Sequence, residues 1–180
     1  MNKGLKSEEI QRIDSRIKEA FSDYFEKAGG KNFRYHHLRN VHKLALRLSE
    51  ELGQEVDLRV LEASALLHDI GRKEDIEDGY MDPFEGHKGH AERGKEIVAE
   101  YLDNILEEEK VEEVQKIIAN HHSTPESVEG RILQDADELA KFGAADIWRM
   151  VHYAYEEELS IGESFENFEN VLKPKLREAL

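Results

Sequence analysis

Nine histidines are spread unevenly over the 180 residues: His36, His37 and His42 together, then His68, then His87 and His90, then His121 and His122, with His152 apart. One of them, His68, stands beside Asp69 at the end of the apolar run "ASALLHDI". A buried carboxylate is costly unless positive charge lies close to it. A divalent cation would supply that charge and take the neutral imidazole as a second ligand. The chain has no cysteine, so disulfides, thiolate catalysis and cysteine-held zinc are excluded, and any metal must be held by histidine and carboxylate. A lone His-Asp doublet is more often just hydrogen-bonded, so a metal requires further donors.

Two more donors have the right placement. His37 heads the stripe His37, Val41, Ala45, which advances in four-residue steps, an odd place for a solvated side chain. Asp137, in "LQDADELAKFG", shares a helix face with Leu133 beside the small residues Ala136 and Ala140, whereas Asp135 falls roughly opposite. His37, His68, Asp69 and Asp137 form a mixed set with room for water. That set suits Mn, Fe, Co, Ni or Zn, and Mg also takes such ligands; a closed structural zinc site is a poorer match. Arg72 follows Asp69 by three residues and faces the metal if the helix runs on through Gly71, where it could grip a phosphate. Lys88, Arg93 and Lys141 are weaker candidates of the same kind and read first as plain surface. His87 reads as an exposed loop residue. His36, His42 and His152 read as structural or surface, and Trp148, Tyr153 and Tyr155 as core packing on a helix.

The elements that must position these side chains read as helices almost throughout. "SEEIQRIDSRIKEAFSDYFEKAGG" carries Ile10, Ile13, Ile17, Phe21, Tyr24 and Phe25 at three- and four-residue steps, with Ser7 as cap and Gly29-Gly30 as stop. A second helix runs through "YHHLRNVHKLALRLSEELG". Asp57 can cap "DLRVLEASALLHDI", which is apolar on nearly every side in its second half and must be central. "GRKEDIEDGYMDPFEGHKGHAERG" is the longest loop candidate, and such loops are often functional. Two further helices, a turn at "STPESVEG", a helix containing Asp137 with a break at Gly143, and a last helix bent near Pro174 complete the pattern. No strand-like alternation persists. The expectation is one compact all-α domain of about six to eight helices: residues 1–30 a helix packed on the core, 31–160 the metal-binding part, and 161–180 a closing helix.

The formal net charge is −15. Such a chain is repelled by nucleic acid and by anionic membranes, so neither is an expected partner, and a small anion would need locally placed cations or metal. The N-terminus has no signal-like apolar core and no run reaches membrane-spanning length, which reads as a cytoplasmic protein.

With "LLHDIGR" in the middle, a histidine before it and "DADEL" with a later "FG" after it, the chain from Tyr35 to Arg149 resembles the HD-domain superfamily of metal-dependent phosphohydrolases. The resemblance implies His37, His68, Asp69 and Asp137 as metal ligands, although Asn40 stands where the family usually has arginine. "HAERGKEI" and "IIANHH" are similar to segments from which family members take two more histidines, here His90 and His121, with His122 as the alternative to His121. In some branches these hold a second metal bridged by the doublet aspartate; with one metal they meet the substrate phosphate. The Gly-Tyr-Pro motif of the cyclic-dinucleotide branch is absent. The implied activity is hydrolysis of a phosphate ester, a small nucleotide or other phosphorylated metabolite, with one or two divalent ions per chain, Asp69 in the catalytic centre and Arg72 on the phosphoryl charge. A di-iron oxygenase acting on a small organic substrate uses the same six donors, and a non-catalytic ligand sensor is the third reading.

Overall fold

Asp57 caps the central helix as its position before the apolar run predicts. Its Oδ1 accepts the backbone N–H of Arg59 (3.0 Å) and of Val60 (3.3 Å), while Lys110 holds Oδ2 at 2.6 Å. In the computed structural model this helix, α3 (Leu58–Leu67), is buried at every residue from Val60 on, and the other elements wrap it. The structure describes residues 3–22, 25–26, 30–31, 33–76 and 89–142, and beyond these 147–148, 151–152, 154–155, 157–166 and 170.

Before α3 come α1 (Ser7–Ala20), a two-residue antiparallel pairing of β1 (Phe25–Glu26) with β2 (Gly30–Lys31), and α2 (Phe33–Leu52). After it come a 3₁₀ helix (Ile70–Ile76), α4 (His90–Leu102), α5 (Glu108–Asn120) and α6 (Val128–Ala140). Helix α3 packs on α2, α5 and α6; α2 also packs on α6, and α4 packs on α5 and on the 3₁₀ helix. One continuous core joins Ile13 and Ile17 of α1 to Leu38, Val41 and Ala45 of α2, Leu61 and Leu66 of α3, Val98 and Leu102 of α4, Ile118 of α5 and Ile132, Leu133 and Ala136 of α6. Each such Ile, Leu or Val side chain contributes about 1.5–3 kcal/mol, and the alanines less. Helix α1 thus contributes Ile13 and Ile17 to this core, and it is shorter than its apolar pattern predicts.

Four local expectations need correction. Helix α1 ends at Ala20 rather than at the glycine pair, and the intervening chain includes the β1–β2 pairing. Ser7 is the first helical residue instead of the cap: Lys6 occupies the cap position, its N–H bound by Glu9 Oε2 at 2.6 Å. The expected long loop begins as helix, since Ile70–Ile76 continues in 3₁₀ form directly after the doublet. Trp148 and Tyr155 are 61% and 80% exposed, so they are not core residues. His87, Lys88, Gly143, Tyr153 and Pro174 lie outside the described residues. Among the described residues no helix is long and apolar enough to cross a membrane.

Candidate metal centre

The centre is assembled at helix ends, where a side chain can turn inward without breaking a helical face. Arg34 and His37 lie three residues apart in the first turns of α2, on the stripe that continues through Leu38, Val41 and Ala45 into the core. His68 caps the C-terminus of α3, and its Nδ1 hydrogen-bonds the Ala65 carbonyl at 3.1 Å, which leaves Nε2 facing inward. Asp69 follows, and the 3₁₀ turn brings Arg72 back over it. His90 is the first residue of α4, entered through Gly89 at φ 93°, a left-handed conformation that favours glycine. His121 closes α5 and uses Nδ1 on the Ile118 carbonyl, so its Nε2 also points into the centre. Asp137 stands in the third turn of α6.

Donors bound to one ion through bonds of about 2.1 Å lie roughly 3.0–3.5 Å apart. His37 Nε2 lies 3.0 Å from Asp137 Oδ1 and 3.8 Å from Asp69 Oδ2; His68 Nε2 lies 3.7 Å and 3.8 Å from the same two oxygens. On the other side of the carboxylate, Asp69 Oδ1 lies 3.2 Å from His90 Nε2 and 3.8 Å from His121 Nε2. His90 Nε2 is in turn 3.3 Å from His121 Nε2 and 3.0 Å from His122 Nε2. Asp69 thus belongs to two donor groups, His37/His68/Asp69 and Asp69/His90/His121/His122, one on each oxygen. Buried His68 Nε2 has no hydrogen-bond partner, although it is aimed at two carboxylates. A buried polar atom left in that state is costly unless something binds it. The orphaned nitrogen and the all-nitrogen-and-oxygen donor set fit a divalent cation.

The electrostatics of the two carboxylates point the same way. Burial pushes the Asp69 carboxyl up, but the guanidiniums of Arg72 and Arg34 and the His68 ring hold it well below the usual carboxylate range. Burial also opposes ionisation of Asp137, and the hydrogen bond from His37, with the nearby His68 ring and Lys141, outweighs it, so this carboxyl too is held well below its ordinary value. Burial lowers His37, whereas for His68 the neighbouring charges of Asp69 and Asp137 win over burial and raise it. A metal binding at His68 therefore competes with a proton held more tightly than on a free imidazole. Burial, with the His68 charge next, brings His121 down to about 3, and burial with the His90 charge brings His122 to about 4. Both rings are neutral at pH 7 and ready to ligate.

The six donors read from the sequence, His37, His68, Asp69, His90, His121 and Asp137, are all buried and lie around this one point. Both members of the 121/122 pair lie beside it, His121 buried and His122 exposed. Arg72 is buried, and its Nε donates to Asp69 Oδ1 at 3.2 Å. Lys141 pairs with Asp137 Oδ2 at 3.4 Å and Glu138 Oε1 at 2.5 Å. Arg93 donates to the Gly71 carbonyl (3.3 Å) and lies 3.6 Å from Glu74 Oε2. His36 is exposed, Asp135 is exposed, and His42 is buried against Glu62 at 3.3 Å on the far part of α2. The residue missed is Arg34, whose Nη1 donates to Asp69 Oδ2 at 2.6 Å from a fully buried position under Phe33. Its one signal is the three-residue offset from His37, which puts a cation on the same buried stripe.

A sequence profile described as HD domain matches residues 34–141, the span that contains every donor above. The chain belongs to the HD-domain family. This HD-domain protein is similar over 95% of its length to 93% of a predicted HD superfamily hydrolase from an uncultured Thermotogales bacterium, with 28% identity and a TM-score of 0.64. It shares the fold of Bacillus subtilis YpgQ, with 20% identity, 86% of this chain and 68% of that one covered, and a TM-score of 0.56. A Lactobacillus plantarum protein matches at 20% identity over 86% of this chain and 66% of that one, with a TM-score of 0.57. Among curated proteins none matches.

Proposed function

We propose that the protein is a metal-dependent hydrolase of phosphate esters of small molecules, nucleotides or other phosphorylated metabolites. The observation that carries this reading is the charge balance of the buried centre. Arg34 and Arg72 offset Asp69 and Asp137 before any metal is counted, and Lys141 is shared between Asp137 and Glu138. Each divalent ion then adds two positive charges that no buried side chain of the centre balances, in a chain whose overall charge is −15. An anionic substrate supplies the balance; an uncharged one does not. The Thermotogales relative, described as a hydrolase, supports the same class.

In this reading His37, His68, Asp69 and Asp137 hold one ion, and Asp69 with His90, His121 and His122 holds a second. Bound metal supplies Lewis acidity toward a phosphoryl oxygen and lowers the pKa of a water molecule. Asp69 aligns the two donor groups through its two oxygens. Arg72 keeps that carboxylate ionised and places positive charge beside the phosphoryl group. His122, the exposed member of the set, borders the side where the substrate enters. Polymers of nucleic acid are unsuitable substrates because the acidic surface repels them.

Protein loaded with Mn²⁺ under argon should release phosphate from at least one member of a panel of nucleotides and sugar phosphates, and EDTA should abolish the release. The placement of three nitrogen donors on the Asp69 Oδ1 side favours one rival, a di-iron oxygenase. Turnover that occurs only with iron, with oxygen uptake and without phosphate release, would replace the hydrolase by that rival.

A further inference from the structure

Each oxygen of Asp69 faces one donor group and one guanidinium: Oδ2 lies 3.8 Å from both His37 Nε2 and His68 Nε2 and accepts from Arg34 at 2.6 Å, while Oδ1 faces His90 and His121 and accepts from Arg72 at 3.2 Å. Arg72 is a near neighbour of Asp69 on the same 3₁₀ turn. Arg34 comes from another helix, is buried, and is packed under Phe33, whose ring also stacks on His37 at 6.1 Å. A cation bound between His37, His68 and Asp69 must therefore share Oδ2 with a fixed full positive charge.

We propose that Arg34 is a positioning residue that sets how tightly the metal is held: it keeps Asp69 aimed when no metal is bound, and it weakens the hold of the ion on the His37/His68/Asp137 side. Outer partners of metal ligands usually strengthen a site by orienting its ligands. Here the opposite effect wins. Arg72 still fixes Asp69 through Oδ1 when Arg34 is changed, so little orientation is lost. The repulsion between a guanidinium and a divalent ion a few ångströms away is removed, and even at the high effective dielectric of a protein interior that is worth at least about tenfold in affinity. The consequence is an exchangeable metal in a centre that is pre-formed without it. This inference rests on the metal centre and is independent of what the substrate is.

The test compares wild type, Arg34→Gln and Arg34→Lys after removal of metal by chelation, with Mn²⁺ binding followed by titration calorimetry and Tm by calorimetric scanning. Glutamine keeps a donor and loses the charge; lysine keeps the charge. The expected result for Arg34→Gln is a lower Tm without metal together with Mn²⁺ binding tighter by about tenfold. Arg34→Lys should bind Mn²⁺ within about twofold of wild type, because the charge is unchanged. A residue with only a structural role would lower both stability and affinity. Mn²⁺ binding by Arg34→Gln that is equal to or weaker than wild type overturns the proposal. If Arg34→Gln is unfolded without metal, refolding at Mn²⁺ concentrations that half-saturate wild type supports it, and failure to refold overturns it. Absence of Mn²⁺ binding by wild type itself would remove the metal centre, and with it this proposal, without bearing on Arg34 alone.

Discussion

Asp69 is the residue on which both halves of the centre depend, and its loss has two separable effects. Replacing it by alanine leaves Arg34 and Arg72 buried without their carboxylate, which should destabilise the metal-free protein by about 3–5 kcal/mol in urea unfolding. Metal analysis of the same variant should show both donor groups depleted, whereas His90→Ala should deplete only the group on Oδ1. The histidines add a pH signature. His121 sits at about 3 in the folded protein against 6.5 for an unperturbed ring, so the unfolded chain binds the extra proton between those values and stability must fall as pH falls below about 6.5. His37 and His122 are lowered too and act in the same sense, while His68, raised by its carboxylates, opposes them. Asp69 and Asp137, held well below the usual range, contribute stability that is present above about pH 4 and lost as pH falls through their folded values. Tm of the chelated protein should therefore drop from pH 7 to pH 5, and His121→Gln should flatten that slope; an unchanged slope would show that His121 is not held neutral. At this scale the donors were legible because histidines and acids on apolar stripes are anomalies. Arg34 was not, because a single arginine near the start of an amphipathic helix is ordinarily solvated, and only its partner Asp69, just past the end of α3, reveals otherwise.

Helix ends decide how the two halves meet. Gly71, in the 3₁₀ turn after the doublet, lets α4 approach so closely that an added Cβ would collide with the His90 carbonyl oxygen and lie 2.5 Å from Gly94 N. Both obstacles are backbone, so α4 would have to move, carrying His90 with it. Gly71→Ala should cost about 1–3 kcal/mol and weaken the metal on the Oδ1 side more than the one held by His37, His68 and Asp137. Metal titration followed by stoichiometry would check this, and equal weakening of both would argue against α4 as the moving part. The helices themselves were readable from periodicity and from the Asp57 cap. Their ends near glycine were not. Gly29-Gly30 looked like the stop of α1, but Gly30 pairs with Glu26 in the small hairpin, and Gly71 looked like the start of a loop, but it is the contact point of two helices. Glycine signals freedom in the sequence without saying whether it is used for a turn or for close packing.

For the whole molecule, the donors come from α2, α3 with its following turn, α4, α5 and α6, so the two donor groups, joined through Asp69, tie together five parts of a single core. The all-α class and the central place of α3 were legible from composition and apolar pattern. The exposure of Trp148 and Tyr155 was not, because a three- to four-residue apolar rhythm says that a face is covered in general but not that this chain covers it. The unfolded chain cannot gather donors so far apart in sequence, so metal binds the native state almost exclusively, and the stabilisation follows from mass action. At a free Mn²⁺ concentration one hundred times the dissociation constant, a single site adds about 2.7 kcal/mol. For a chain of 180 residues that is a rise in Tm of roughly 5–11 °C. Scans of chelated protein across a Mn²⁺ series should show Tm climbing with the logarithm of concentration, and Asp69→Asn should remove the climb. Mg²⁺, which gives up its water reluctantly and favours carboxylate over imidazole, should produce a smaller rise at equal concentration. A Tm insensitive to Mn²⁺ would mean that the convergence of five elements on Asp69 serves the acid's own ion pairs and holds no metal.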